Sequence, residues 1–487
     1  MSADRQLVFR GGRPLAFLPV LVFLAFCVVF FVVFKTFDMT ALAAGGVIAL
    51  LVGAVFAKPY PAYWSAVTRG IGSPTAVTIV MILFCVGLMS ALIKETNVSG
   101  GFVWLAEFLG VGGGTFTLFT FVAVCIISMS TASSIGTMFT AFPIFYPAGV
   151  LLGAQPAFLA AAIISGAIFG DNVAPISDTT VISSSTQTFR RKDGNADIAG
   201  VVRSRARFAF TAAVLSAAGF FALGASGRST DSAQSQHLLE KASDPLALVM
   251  LAPVALMLVV ALRSRNIFKA VTVGLVSGII TGLATGLLSL RGIVGVTDGA
   301  PTGFLITGVG DMLSVIALVV TVFGIMGVLT EAGILDWLVS TLTGSRLAQT
   351  PRGAELAIGI GISGTTLLFG GVNSAAMLTF GPVADEIGGR VRLHPYRRAV
   401  VMDCFAMGIA AIVPVLSAYL FIGAQLTTGI KNVPALATTD IFVAMLYPLI
   451  LTAVMIVAAF TGWGRRFEGA DGVELKEPEP ERTPAAA

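Results

Sequence analysis

The chain has 487 residues, 56% of them hydrophobic and 11% charged, and a formal net charge of +4. With a mean hydropathy of +0.91 it cannot be a water-soluble globule, so lipid is the expected solvent. The two histidines, His237 and His394, sit in polar segments and the four cysteines show no C-x-x-C spacing. That argues against a disulfide framework, a zinc site and a His-based catalytic constellation, and so against an enzyme or a resident cofactor.

In chain order, residues 1–14 carry Arg5, Arg10 and Arg13 and read as a cytoplasmic N-terminus, because Lys and Arg collect in cytoplasmic loops. The first apolar run, Leu15 to Phe34, is about twenty residues long, enough to span a bilayer and longer than a signal-peptide core. Further runs include Thr40 to Ala57, Pro74 to Ile93 and Ile441 to Phe460. Trp104 and Glu107 fall in a short amphipathic piece that fits an interfacial helix. The basic clusters at Arg190–Lys192 and Arg203–Arg207 fall inside, a linker at 227–245 falls outside, and Arg263, Arg346, Arg390 and Arg465 fall inside again. After Trp463 the glutamates among prolines read as a disordered cytoplasmic tail, 461–487. Asp385 and Glu386 are expected on a solvated cytoplasmic face beside Arg390, while Asp311 and Glu331 flank an apolar run at its two interfaces.

Self-similarity divides the rest. Ser134 and Asn373, Pro143 and Pro382, and Pro175 and Pro414 each lie 239 positions apart. By basic-loop placement the two copies have opposite orientation, which makes 15–226 and 246–460 inverted repeats. Each contains an interrupted pair of apolar runs, about 115–153 and 353–388, and a broken helix, about 156–189 and 397–427. The fold expected is an all-α polytopic membrane protein of about ten transmembrane helices plus two re-entrant hairpins. Two full spans in place of each hairpin would keep the same parity. Such repeats are the architecture of alternating-access transporters, with the site near the bilayer midplane.

The chemistry concentrates in Phe169-Gly-Asp-Asn-Val-Ala-Pro-Ile-Ser-Asp-Thr-Thr180. Pro175 breaks the helix, and Ser177, Asp178 or Thr179 suits the N-cap of the half that follows. A carboxylate at the bilayer centre costs about 2.5–3.5 kcal/mol, so Asp171 and Asp178 either hold something positive or cap the half-helices. One carboxylate can hold Na⁺ or a proton but not both favourably, which is exchange chemistry. Ala410 and Ser417 stand opposite Asp171 and Asp178 in the second repeat, so the charge is one-sided. Asp403, about 7.5 Å deeper than Arg398 at helical rise, reads either as a proton site or as the partner of an interfacial arginine. No buried Arg or Lys is evident in the broken segments, which disfavours a dicarboxylate substrate.

Gly170-Asp-Asn-Val-Ala-Pro-Ile-Ser-Asp-Thr-Thr180 resembles the signature of the NhaC sodium/proton antiporter family, in the ion transporter superfamily. The resemblance runs from about Leu15 to Phe460. It implies hairpin tips lined by Ser130, Thr131, Ser133, Ser134 and Thr137 in the first repeat and by Asn373 and Ser374 in the second. With Asp171, Asn172, Ser177, Asp178, Thr179, Thr180, Asp403 and Ser417 these make up the candidate ion and substrate site, Asp171 and Asp178 being the Na⁺ ligands. Na⁺ and H⁺ are the expected transported or coupling ions, and a bacterial inner membrane the expected location, with both termini cytoplasmic. The partners expected are an ion or small solute and the lipid bilayer, not nucleic acid, and a homodimer is left open. The family also includes malate/lactate exchangers, so the alternative is a sodium- or proton-coupled carrier or exchanger of an amino acid, hydroxy acid or organic cation. A passive channel is disfavoured, because channels usually build their rings from several subunits.

Overall fold

The computed structural model describes residues 7–30, 34, 39–98, 100–101, 104, 108, 110–131, 134–175, 177–225, 244–264, 267–334, 346–369, 371, 373–414, 416–430 and 433–478. His237, Glu107 and most of the 227–245 linker lie outside these residues. Helices dominate, and the sheet is confined to three two-stranded antiparallel pairs.

The chain divides into two compact units that are not the two repeats: 1–171, 214–334 and 412–447 form one, and 172–213, 335–411 and 448–487 form the other. Among the described residues five helices are long and apolar enough to cross a membrane: Ser134–Leu151, Pro156–Val173, Ile198–Gly224, Phe268–Thr285 and Phe304–Glu331. Thr438–Ala444 and Leu446–Thr461, bent by 50°, would make a sixth. The chain is a multi-pass membrane protein. Ten spans exceed this count partly because several apolar helices, such as Thr40–Phe56 and Gly113–Met129, are shorter than 18 residues.

In the first unit the helices pack through glycine. A Cβ on Gly70 would lie 2.2 Å from the Phe323 carbonyl, and one on Gly87 would lie 2.4 Å from that of Gly308. Helices in lipid gain from such close backbone approach, which only small residues permit. Gly113–Thr131 and Ser134–Leu151 fold back on each other, since the Gly113 amide donates to the Leu152 carbonyl at 3.0 Å. They form a helical hairpin.

In the second unit Pro351–Leu368 and Asn373–Arg390 form the matching hairpin, with Gly388 near its open end packed toward Ile358. Ser134–Leu151 and Asn373–Arg390 each have 18 residues and a proline at the tenth, Pro143 and Pro382. The tip of the second hairpin turns at Gly371, whose φ of 81° favours glycine.

Both prolines at the expected breaks interrupt helices. Pro156–Val173 ends before Pro175, and Asp178–Ser185 follows. Pro395–Ala406 gives way to a short 3₁₀ turn, Ile409–Ile412, and Ala418–Leu426 begins after Ser417. The tail departs from its expected disorder. Phe467–Glu468 pairs with Glu474–Leu475, and the Glu468 carboxylate accepts from the amides of Arg190 and Arg191 at 2.7 and 2.8 Å. Charge on this segment serves buried hydrogen bonds, which composition alone does not reveal.

Candidate functional site

Asp171 lies in the last turn of Pro156–Val173 and is 4% exposed. Ser134, the first residue of Ser134–Leu151, donates from Oγ to Asp171 Oδ2 at 2.8 Å. The Tyr419 hydroxyl, near the start of Ala418–Leu426, lies 3.0 Å from the same Oγ. These groups belong to the first unit and come from the ends of helices, where backbone groups lack intrahelical partners. Gly166 and Gly170 let Pro156–Val173 come this close to the first leg of the hairpin. A Cβ on Gly170 would lie 2.4 Å from Ser128 Cβ, and one on Gly166 would lie 2.8 Å from the Phe121 carbonyl. Ser128 Oγ also donates to the Ala167 carbonyl at 2.6 Å. Thr137, one turn beyond Ser134, is buried, and Ser417 caps its helix by accepting from the Leu420 amide at 3.2 Å.

Asn172, the next residue, belongs to the second unit and serves a different network. Its amide donates to Asp403 Oδ1 and to Met407 Sδ, both at 3.3 Å. Ser183 Oγ donates to Asp403 Oδ2 at 3.2 Å. Arg205 forms an ion pair with Asp403, both residues being fully buried, and donates to Thr180 Oγ1 at 2.5 Å. Thr180 Oγ1 in turn donates to the Ala174 carbonyl at 2.9 Å, satisfying a backbone oxygen bared by the break. Ser177 holds the N-cap position without a side-chain cap bond; its hydroxyl meets that of Thr179 at 2.8 Å. The arginine that pairs with Asp403 is Arg205, not Arg398.

Two of the sequence expectations change. The second broken segment, 397–427, holds two buried arginines, Arg397 and Arg398, where none was expected, and the helix Ile198–Gly224 carries a third, Arg205. It lies on the buried stripe Val201, Arg205, Phe208, Ala209 and Ala212, a helical period that places it inward. Asp385 is buried and not solvated. It accepts from the Thr188 amide and hydroxyl at 2.8 Å, and from Arg190 and Arg398 at 2.9 Å. A residue that sequence reasoning passed over, Glu355, is fully buried and takes two bonds each from Arg397 and Arg465, at 2.8–3.1 Å.

Asn373 opens its helix and is buried, with Ser374 beside it half-buried. Ser133 lies outside the described residues, as do the side chains of Ser130, Thr131 and Asp178. Among the described residues no cluster of three or more His, Cys, Asp or Glu could hold a metal ion. The Asp171 carboxylate and the Ser134 and Tyr419 hydroxyls are oxygen groups of the kind that suits a hard cation.

Residues 12–193, which include the first hairpin and the first broken helix, match the profile described as the Na⁺/H⁺ antiporter family. It is a family of transporters, not enzymes. The malate-2H⁺/Na⁺-lactate antiporter of Bacillus subtilis is 28% identical over 341 residues, covering 66% of this chain and 69% of that protein. The Na⁺/H⁺ antiporter NhaC of Alkalihalophilus pseudofirmus is 31% identical over 139 residues, 28% of this chain and 29% of that protein. Two solved structures are also similar. One is Neisseria gonorrhoeae MtrF, described with a class of antimetabolite efflux pumps (TM-score 0.40, 14% identity, 93% of this chain and 97% of that one). The other is the Alcanivorax borkumensis YdaH transporter (TM-score 0.38, 13% identity, 92% and 99%).

Proposed function

We propose that this chain is a secondary active transporter of a bacterial inner membrane that exchanges Na⁺ for H⁺, with Asp171 as the group that holds one or the other. The observation that carries this reading is the buried Asp171 carboxylate meeting the Ser134 hydroxyl at the hairpin break. A carboxylate held away from water at a cost of several kcal/mol needs a positive partner. Na⁺ or H⁺ at Asp171 supplies positive charge in each loaded form. The protonated carboxyl releases H⁺ as Na⁺ arrives, and the ionised carboxylate takes H⁺ as Na⁺ leaves, so the Asp171 charge is neutralised in both loaded forms. Hydroxyl oxygens of Ser134 and Tyr419 complete part of the cation's shell, and Asp178 is the second carboxylate that the motif supplies. Two hairpins, each followed by a broken helix, support alternating access through inverted repeats that pass the site from one side to the other.

A second reading is coupled exchange of an organic acid. It is favoured by the Bacillus subtilis relative and by buried Arg205, although Asp403 already compensates that arginine's charge. Proteoliposomes holding a pH gradient separate the two. Na⁺ alone should collapse the gradient if the chain is an Na⁺/H⁺ antiporter. A gradient that stays intact with Na⁺ and falls only when lactate or malate is added would replace the first reading by the second.

A further inference from the structure

In the second unit, Arg203, Arg207 and Arg466 open onto one cavity of about 550 Å³. Two acids share its wall, and both are engaged. Asp197 accepts from the Tyr396 hydroxyl and from the Gly200 amide, and those bonds hold its carboxyl below the usual range. Glu474 lies 3.8 Å from Arg466. Among the described residues neither Arg203 nor Arg207 makes an ion pair with a carboxylate; Arg207 donates from Nε to the Ser204 carbonyl, one turn back. Two arginines thus face the cavity without an ion pair of their own among the described residues, although the Glu474 charge on the same wall also acts on Arg207.

The surroundings fix the depth of the cavity. Arg203 and Arg207 are followed at helical spacing by Phe210, which is 50% exposed on the same face. On the neighbouring element Val457 and Phe460 are exposed; Trp463, packed against Phe208 at 4.8 Å, comes next, and then Arg466. Both elements pass from exposed apolar side chains to arginine at this level, with a tryptophan at the crossover, the pattern of a membrane–water interface. Arginine forks match phosphate geometry, and basic pockets at helix ends on the cytoplasmic side take anionic headgroups.

We propose that this cavity binds the phosphate of an anionic phospholipid headgroup, held by Arg203, Arg207 and Arg466. The proposal rests on the multi-pass membrane assignment and not on which ion is transported. A zwitterionic headgroup gains less, because Asp197 and Glu474 are already engaged and offer its ammonium no free carboxylate. Each arginine contributes about 1 kcal/mol near a charged surface, or about fivefold in affinity.

The purified full-length protein is mixed with equimolar phosphatidylglycerol and phosphatidylcholine in detergent, and retained lipid is counted by native mass spectrometry. Phosphatidylglycerol should exceed phosphatidylcholine at least fivefold on the wild type. Arg203→Gln should reduce the excess about fivefold, and Arg203→Gln with Arg207→Gln about 25-fold, in each case no further than parity. Arg291→Gln, an exposed arginine elsewhere, should leave it unchanged. Arg203 is exposed, so its single variant still decides the matter if the double variant does not fold. Inorganic phosphate without lipid is titrated by thermal shift in parallel. Equal retention of both lipids, a preference unchanged by Arg203→Gln, or an arginine-dependent response to inorganic phosphate without any lipid preference would each overturn the assignment.

Discussion

Ser134 Oγ donates to Asp171 Oδ2 at 2.8 Å, so the first residue after the hairpin break touches the last carboxylate before the broken helix ends. Asp171→Asn keeps the size of the side chain and removes its charge, and should give folded protein without Na⁺-driven proton exchange. Ser134→Ala removes a hydrogen bond to a charged group, worth about 1.5–3 kcal/mol, and should weaken apparent Na⁺ affinity about tenfold or more. Tyr419→Phe, one contact further out, should weaken it only a few-fold. Initial rates in proteoliposomes measure all three, and exchange surviving in Asp171→Asn would show that Asp171 is structural.

Arg205 and Asp403 make a different prediction, because their contribution is to the fold. Removing one member of a buried ion pair costs about 3–5 kcal/mol, whereas replacing both by apolar residues of similar volume is often neutral. Asp403→Asn should therefore lower the melting temperature sharply. Arg205→Met combined with Asp403→Leu should recover most of the loss. If Asp403→Asn melts like wild type but exchanges no protons, Asp403 would be an ion site instead.

What the sequence made legible is local. Pro175 and Pro414 announce their breaks because proline cannot continue the hydrogen-bond ladder. Ser134 and Asn373 start helices of equal length because the small polar residues before and at these points interrupt an apolar run. The ion pairs were hidden for the opposite reason. Arg205, Arg397, Arg398 and Asp385 sit in segments rich in charge, and a charge count cannot distinguish an arginine in water from one held by a carboxylate far along the chain. Glu355 meets Arg397 and Arg465 only through the tertiary fold. For Arg205 the helical period carried the signal, and its charge masked it.

His394 predicts how stability responds to acid. Its Nδ1 accepts from the Tyr396 amide at 3.2 Å, and Nε2 lies 3.1 Å from the Gly472 carbonyl, a pattern that fits the neutral ring with its proton on Nε2. Burial holds its pKa below 6.5, against the Gly472 carbonyl and the Glu474 and Glu468 charges, which act in the other direction. The unfolded chain then binds the proton more readily than the folded one, so stability is full above pH 6.5 and falls as the pH drops through that value toward the folded pKa. Melting temperatures between pH 8 and pH 5 should decline on acidification, and His394→Asn, which keeps an acceptor at the helix N-cap, should flatten part of that slope. Parallel slopes in the two proteins would rule out His394 as the source.

The competition between Na⁺ and H⁺ for Asp171 gives the most discriminating measurement. If one carboxylate serves both ions, each tenfold rise in proton concentration below its pKa weakens apparent Na⁺ affinity tenfold, about 1.4 kcal/mol per pH unit. Above that pKa the affinity should level off. The maximal exchange rate should change little with pH, because saturating Na⁺ displaces the proton. Separate sites for the two ions would give an Na⁺ affinity that does not depend on pH, with a pH-dependent maximal rate in its place. Titrating Na⁺ against exchange rate at several pH values distinguishes the two patterns. Ser134→Ala adds an internal check: its hydroxyl bonds the same carboxylate, so the pH at which the affinity levels off should move in this variant but stay put in Ser417→Ala, where the lost hydroxyl caps a helix. A plateau that does not move in Ser134→Ala would place the shared carboxylate elsewhere, with Asp178 the next to test.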